Sequence, residues 1–317
     1  MHLLWEKLIR PVMFRIDPER AHDLGMTALR TGLLARLGYG GSSDEEARTS
    51  FGPIRRFGLT FANPVGLAAG FDKNCIAVEQ LAKLGFGSVE IGTVTLKPQS
   101  GNPKPRLFRL PEQNALINRL GFNNDGARAV AERLTKIDIK GCVVGVNIGR
   151  NKDVPNELAI ENYVSTFDLL SPLADYVTVN VSSPNTPDLR DLQHSENLER
   201  LLASLQDRNS TNKPILVKIA PDLTEPEIES VVAVCLQSGI SGVVATNTTT
   251  SRPGIAADAA SRIGAGGLSG KPLEELSTNV VSTVYRYSKG RLPIVGVGGV
   301  FTAIDAFNKI AAGASLI

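Results

Sequence analysis

A serine and two carboxamides share one short polar stretch, "NVSSPNTP" over residues 180–187, directly after the apolar run that holds Tyr176, Val177 and Val179. Acyl transfer fits it poorly. A nucleophile elbow needs Gly-x-Ser-x-Gly, whereas Val181 and Asn185 flank Ser183, and the nearby imidazole, His194, follows in a polar segment. Lys218 is the sharper anomaly, because it lies inside the apolar run "ILVKIA". A buried ammonium without a partner costs several kcal/mol or gives up its proton. It is therefore a Schiff-base lysine, the counter-ion of a bound anion, or a lysine snorkelling to a rim, with Asp222 a candidate protein partner. Asn118, Asn185 and Asn247 each offer a donor and an acceptor, which matches a ligand with adjacent C=O and N–H groups, such as a cyclic amide or ureide. Lys73 could hold the carboxylate of such a ligand.

These residues stand where strands should end. The pattern alternates short apolar runs with helical segments: Val65–Ala69, Ser88–Ile91, Val143–Asn147, Tyr176–Asn180, Ile215–Ile219, Gly242–Thr246, Ile294–Val297 and Ala314–Ile317. Helical patterns such as Glu225–Gln237 and Ala303–Ala311 separate most of them. Eight parallel strands with crossovers predict an α/β fold, a (β/α)8 TIM barrel, with a doubly wound sheet as the alternative. Barrel chemistry collects at strand C-termini, and the run of ends supplies Asp72, Lys73, Thr93, Asn147, Asn180, Ser183, Lys218 and Thr246–Thr248. The glycine clusters "GAGGLSG" (Gly264–Gly270) and "GVGG" (Gly296–Gly299) follow strands six and seven, a common phosphate position in barrels. They do not form the Gly-x-Gly-x-x-Gly of a Rossmann nicotinamide site.

Ahead of the barrel, Asp17 is placed to cap a second helix with Pro18 in its first turn and Gly38–Gly41 as its stop. Two domains are expected: a helical segment over 1–43 and the barrel over 44–317. A hairpin-like section follows from Phe51 to Phe61. The eighth strand has no helix after it, so the sequence reads as shortened within strand eight. The 317 residues are 42% hydrophobic and 21% charged with net charge +2, too weak a field to argue for nucleic acid. Cys75, Cys142 and Cys235 lie far apart and read as reduced thiols; no disulfide frame and no metal site are expected. No apolar run reaches the ~18 residues of a bilayer span. The N-terminal "MHLLWEKLIRPVMFRI" is apolar but broken by Glu6, Lys7, Arg10 and Arg15, which argues against a signal peptide. From this window alone, a helix on a membrane surface and one packed on its own domain remain equal readings.

The chain resembles the dihydroorotate dehydrogenases, specifically the membrane-associated, quinone-using class 2. The stretches that carry the resemblance include "DPERAH", "NPVGLAAGFDKN", "GFGSVEIGTVT", "GNPKPRLFRL", "INRLGFNN", "VNIGRNK", "NVSSPNTPDLR", "VKIAPDL", "ATNTT", "GGLSGKPL" and "LPIVGVGGV", in family order from Asp17 to the final "KIAAGASLI". The resemblance implies FMN as cofactor, oxidation of dihydroorotate to orotate in pyrimidine biosynthesis, and ubiquinone or menaquinone as electron acceptor. It implies flavin contacts at Ala69, Gly70, Thr93, Asn147, Asn180, Lys218, Thr246, Gly270 and Gly299. Lys73, Asn118, Asn185, Asn247 and Thr248 would hold the substrate, with Arg119, Leu120, Gly121 and Phe122 in a closing loop. Ser183 would be the base, where class 1 enzymes carry cysteine, and His22 and Arg109 match quinone-headgroup positions. It further implies a peripheral protein on the cytoplasmic face of a membrane, the inner membrane in a bacterium, with no obligate protein partner. The family continues past strand eight with a Tyr-Ser pair near the flavin phosphate, and this sequence stops before that position. Other readings are a non-catalytic ligand-binding barrel, a Schiff-base aldolase on Lys218, and a fumarate- or NAD-linked class 1 enzyme.

Overall fold

A computed structural model describes residues 5–32 and 52–317 of the chain. A helical turn at Trp5–Ile9 runs into α1 (Arg10–Arg15), followed by α2 (Pro18–Arg30). The side chain of Asp17 accepts from the backbone N–H groups of Glu19 (3.1 Å) and Arg20 (3.0 Å), and Pro18 fills a position with no helical acceptor. α2 ends at Arg30, earlier than the expected stop at Gly38–Gly41, because Thr31 caps it and Gly32 turns the chain at φ +68°; that glycine cluster and the boundary at residue 43 lie outside the described residues. Within the section expected to be hairpin-like, β1 (Ile54–Arg56) pairs antiparallel with β2 (Leu59–Phe61).

Seven parallel strands then make most of a barrel: β3 (Gly66–Leu67), β4 (Ser88–Val94), β7 (Val143–Ile148), β8 (Tyr176–Asn180), β9 (Ile215–Ile219), β10 (Gly242–Ala245) and β12 (Ile294–Gly296). They are hydrogen-bonded in the order β12-β10-β9-β8-β7-β4-β3. Residues 315–317 fill the gap between the two ends. Ser315 and Leu316 donate their N–H groups to the Ile294 carbonyl (2.8 and 3.2 Å), while Ile317 donates to Pro64 O (2.9 Å) and Gly66 donates back to Ile317 O (2.7 Å). This segment occupies the eighth place in the barrel.

Every residue of β7, β8 and β9 is buried, because helices cover one face and the barrel interior the other. The helices include α3 (Val78–Lys83), α4 (Ala127–Leu134), α5 (Ala159–Leu170), α6 (Ser195–Arg208) and α7 (Glu225–Gln237). The N-terminal end of the barrel is filled by Val143, Tyr176, Leu216, Val244 and Leu316, with Phe61 of the hairpin packed against them. That apolar plug leaves the opposite end for polar groups.

A second, antiparallel sheet over that opposite end was not legible in the sequence. It joins β5 (Leu107–Leu110), β6 (Ala115–Asn118) and β11 (Gly267–Gly270) in the order β11-β6-β5. Half of the glycine cluster expected to be a phosphate loop is therefore strand. Gly270, at φ +100°, lets that backbone pass against Asn114 O, where any Cβ would collide. The wall is completed by α8 (Ala257–Ile263), α9 (Glu274–Ser288) and α10 (Ala303–Ala311). α2 docks just ahead of β5 through a largely shielded ion pair: Arg106 donates Nη2 to Glu19 Oε1 (2.6 Å) and Nε to Oε2 (3.0 Å).

Candidate functional site

The loops that leave the C-terminal strand ends, the small sheet and α2 together enclose a cavity of about 650 Å³. His22, Ala69, Gly70, Lys73, Thr93, Asn118, Leu120, Gly121, Phe122, Asn180, Ser183, Asn185, Lys218, Thr246, Asn247 and Thr248 all line it. Five of the sequence-chosen residues do not form its wall. Asn147 sits just behind it, Gly270 and Gly299 each follow a wall residue (Ser269 and Gly298), and Arg109 and Arg119 point elsewhere.

The floor is a continuous polar chain across neighbouring strands. Asn180 stands opposite Lys218 in the β8–β9 register. Thr93 Oγ1 donates to Asn147 Oδ1 at 2.6 Å, and Asn180 Nδ2 donates to Thr93 Oγ1 at 2.9 Å. Asn247 Nδ2 donates to Asn180 Oδ1 (3.2 Å) and to Ser182 Oγ (2.9 Å). Glu90 of β4 is buried beneath this chain and accepts from Asn147 Nδ2 (2.9 Å), Tyr176 OH (3.1 Å) and Thr178 Oγ1 (2.8 Å). Burial and the Glu90 charge hold the Tyr176 phenol well above its ordinary range. Sequence reasoning missed Glu90; the available signal was an acid inside the otherwise uncharged strand "SVEIGTV".

Lys218 is only 6% exposed. Its ammonium makes no hydrogen bond to another described residue, and burial lowers its pKa against the opposing pull of Glu90. Asp222 is not its partner. That carboxylate accepts from Arg190 Nη1 (2.9 Å), from the Thr249 hydroxyl and from the Thr250 N–H (3.1 Å). The turn after β9 carries Asp222 away from the strand interior, where Lys218 points into the cavity. A single unpaired cation on a polar floor is suited to an anionic edge of a bound ring.

The stretch from Asn180 to Pro187 forms the rim. Ser183 is buried, and its Oγ accepts from the Asn185 N–H at 3.2 Å. Tyr163 OH donates to Asn180 O (2.7 Å), Arg190 Nε to Ser182 O (3.2 Å) and Arg150 Nη2 to Pro187 O (2.5 Å), so the rim is tied down from behind. Asn185 Nδ2 reaches both Asn118 O and Asn118 Oδ1 at 3.2 Å, which closes the rim onto β6. Lys73 Nζ donates to Asn123 Oδ1 at 2.5 Å; burial, then the charge of Arg106, lowers its pKa to about 8. Carboxamides, a serine and a cation therefore surround one volume.

Two further groups lie beside the N-terminal helices, His22 on α2 and Arg109 on β5. His22 packs edge-on against Phe71 with ring centroids 5.0 Å apart, and burial foremost lowers its pKa. Arg109 lies in an adjoining groove, where Nη1 donates to Ile16 O (2.7 Å) and the guanidinium covers the Phe14 ring at 5.0 Å. Leu107 lines both spaces. Arg119 faces away from the cavity: its Nη1 donates to Ile263 O (2.6 Å) and Ala265 O (3.0 Å), and it stacks over Phe108 at 4.5 Å. In the loop after β12, the N–H groups of Gly298 and Gly299 meet no acceptor among the described residues. Among those residues there is also no cluster of three or more metal-ligating side chains, and no helix long and apolar enough to cross a membrane.

The family profile described as dihydroorotate dehydrogenase matches residues 54–317. Over 317 aligned residues the chain is 50% identical to "Dihydroorotate dehydrogenase (quinone)" of Roseiflexus sp. (strain RS-1), covering 98% of this chain and 86% of that one. It is 49% identical to the protein of the same name from Gloeobacter violaceus, covering 98% and 87%. Among solved structures, the DHODH of Eimeria tenella in complex with ferulenol superposes with a TM-score of 0.86 at 40% identity, covering 95% of this chain and 85% of the other.

Proposed function

This chain belongs to the dihydroorotate dehydrogenase family, and on that premise we propose that its cavity oxidises dihydroorotate to orotate with FMN on the polar floor and a quinone as final acceptor. The observation that carries the reading is Lys218, an ammonium buried at the floor of a 650 Å³ cavity without a hydrogen-bonded partner among the described residues. The chain's donors fit FMN: a cation for the N1/O2 edge, the carboxamides of Asn180 and Asn147 and the hydroxyls of Thr93 and Thr246 beside it, and free N–H groups at Gly298 and Gly299 for a phosphate. Ala69, Gly70, Gly270 and Gly299 let backbone approach closely. When bound, FMN supplies the acceptor for the hydride that leaves C6 of the substrate.

The protein's own residues do the rest. Lys73 pairs with the substrate carboxylate. Asn118, Asn185, Asn247 and Thr248 hold the ring amides and fix which ring face meets the floor. The backbone of Arg119, Leu120, Gly121 and Phe122 closes over the substrate, while the Arg119 side chain braces that segment from outside. Ser183 receives the C5 proton. A neutral serine is a weak base, so its contribution rests on position: a buried oxygen on a rim anchored by Tyr163, Arg190 and Arg150.

The segment 1–43 is the access route for the quinone, ubiquinone or menaquinone, with His22 on the cavity side and Arg109 in the adjoining groove. Leu8 and Val12 are 61% and 58% exposed, which supports contact of these helices with a membrane surface, and the family resemblance places that contact on the cytoplasmic side. The test is an anaerobic titration of the purified protein with dihydroorotate. The visible flavin band should bleach, then return when a quinone is added. A protein whose spectrum stays unchanged at saturating dihydroorotate refutes the proposal.

A further inference from the structure

The floor and rim leave one buried cation without a task. Lys309 of α10 is 0% exposed. Its methylenes lie against Gly296, and its Nζ donates to Ser277 Oγ at 2.5 Å and Thr278 Oγ1 at 3.1 Å. Ser277 is buried too, and its hydroxyl donates to Gly298 O or Glu274 O, each at 3.1 Å. No carboxylate among the described residues accepts from Lys309 directly. The acids around it, Glu274 and Asp305, are both engaged by Lys271, and Asp305 also accepts from the N–H groups of Phe301 and Thr302 at 2.8 Å. Two lysines and two carboxylates therefore balance behind the loop of Gly296–Gly299.

We propose that Lys309 is a positioning residue for the phosphate of the bound cofactor, acting through Ser277 on the peptide unit between Gly298 and Gly299. The proposal deepens, and rests on, the FMN reading above. The physical step is simple. In a planar trans peptide the C=O and the following N–H point in opposite directions. Holding Gly298 O toward Ser277 turns the Gly299 N–H away from α9. Gly298 and Gly299 adopt φ +111° and +72°, conformations that a side chain would strain, and their N–H groups have no described acceptor. Such an array binds an anion only while its carbonyls are held away from it. Lys309 does this by fixing the Ser277 hydroxyl as an acceptor toward α10, which leaves its proton for a backbone carbonyl. Its charge also offsets one acid. Without it, one net negative charge remains behind a loop that must receive a dianion.

The test compares two ligands that differ only in the phosphate. The full chain, freed of flavin, is titrated with FMN and separately with riboflavin, following fluorescence quenching. Lys309→Met should weaken FMN on the order of tenfold, equivalent to ~1.4 kcal/mol, and leave riboflavin within about twofold. Ser277→Ala should shift the FMN-to-riboflavin ratio in the same direction by about threefold. Equal losses for both flavins, or no loss for either, would overturn the role of Lys309. If Lys309→Met does not fold, an unchanged ratio in Ser277→Ala overturns it instead. Wild-type protein that binds neither flavin refutes the cofactor reading and this inference with it. Wild type that prefers FMN while both variants keep that preference refutes only the inference.

Discussion

Replacing Glu19 by glutamine keeps the shape of that side chain and removes the charge that fixes α2 to the barrel. The Glu19 and Arg106 side chains are 13% and 7% exposed. Removing one partner of a buried pair costs ~3–5 kcal/mol, against at most about 1 kcal/mol for a solvated one. Arg106 retains Ser100 O (2.5 Å) and Asn102 O (2.8 Å) as acceptors, and a glutamine oxygen still accepts one bond, so the lower figure of ~3 kcal/mol applies. The other anchors of α2 are Ala21, Met26 and Leu29, with the two larger side chains contributing ~1.5–3 kcal/mol each. The pair is thus a large share of the docking energy, and its loss should make α2 open on the order of a hundredfold more often. Hydrogen exchange reads this directly. Amides of α2 should lose about two decades of protection while those of β7 and β9 keep theirs. The pH dependence has a fixed sign. The hydrogen bond from Arg106 holds the Glu19 carboxyl below its ordinary 4.5. Its stabilisation is therefore complete above that value and is lost as pH falls through the lowered folded value. Wild-type α2 should loosen on acidification, and the variant should show no such trend. Unchanged α2 protection, or equal loss in the barrel strands, would refute the anchoring role.

Ser183→Ala should slow bleaching of the flavin by dihydroorotate by at least ~10²-fold while the flavin stays bound; unchanged stopped-flow traces would remove the base assignment. Lys73 titrates at about 8, so its ammonium is present below that pH and lost above it. KM for the anionic substrate should therefore rise as pH climbs through 8, and Lys73→Arg should flatten that rise; a flat wild-type profile would count against the carboxylate contact. Lys218→Met should stabilise the flavin-free chain to urea by ~1–3 kcal/mol while weakening FMN. Because burial depresses the folded pKa of Lys218, the unfolded wild type binds the extra proton, and wild-type stability rises from the folded value toward ~10.5. The advantage of the variant should shrink across that window; a variant less stable at every pH would show that the lysine is paired.

The strands were legible because burial on both faces leaves nearly unbroken apolar runs, and "YVTVN" and "ILVKI" match β8 and β9 residue for residue. Lys218 was legible for the same reason, since a cation stands out in such a run. The antiparallel sheet was not, because its strands have four residues each, too few to show a period, and β11 begins and ends in glycine. Pairings between distant segments leave no local trace: Glu19 with Arg106, Asp222 with Arg190, and Lys309 with Ser277 are separated by 87, 32 and 32 residues. The direction of Arg119 belongs to the same class, because its acceptors at Ile263 and Ala265 lie on a different loop.

The seam between β12 and β3 has a consequence for how this protein comes into being. Gly66 and Gly296 each donate to residues 316–317, so both margins of the curled sheet lack those partners until that segment is in place. A nascent chain on the ribosome therefore carries two raw strand edges until residues 316–317 emerge, open to pairing with other polypeptides. Lesions at this seam should appear first as insoluble protein and chaperone dependence, with normal turnover in whatever fraction matures.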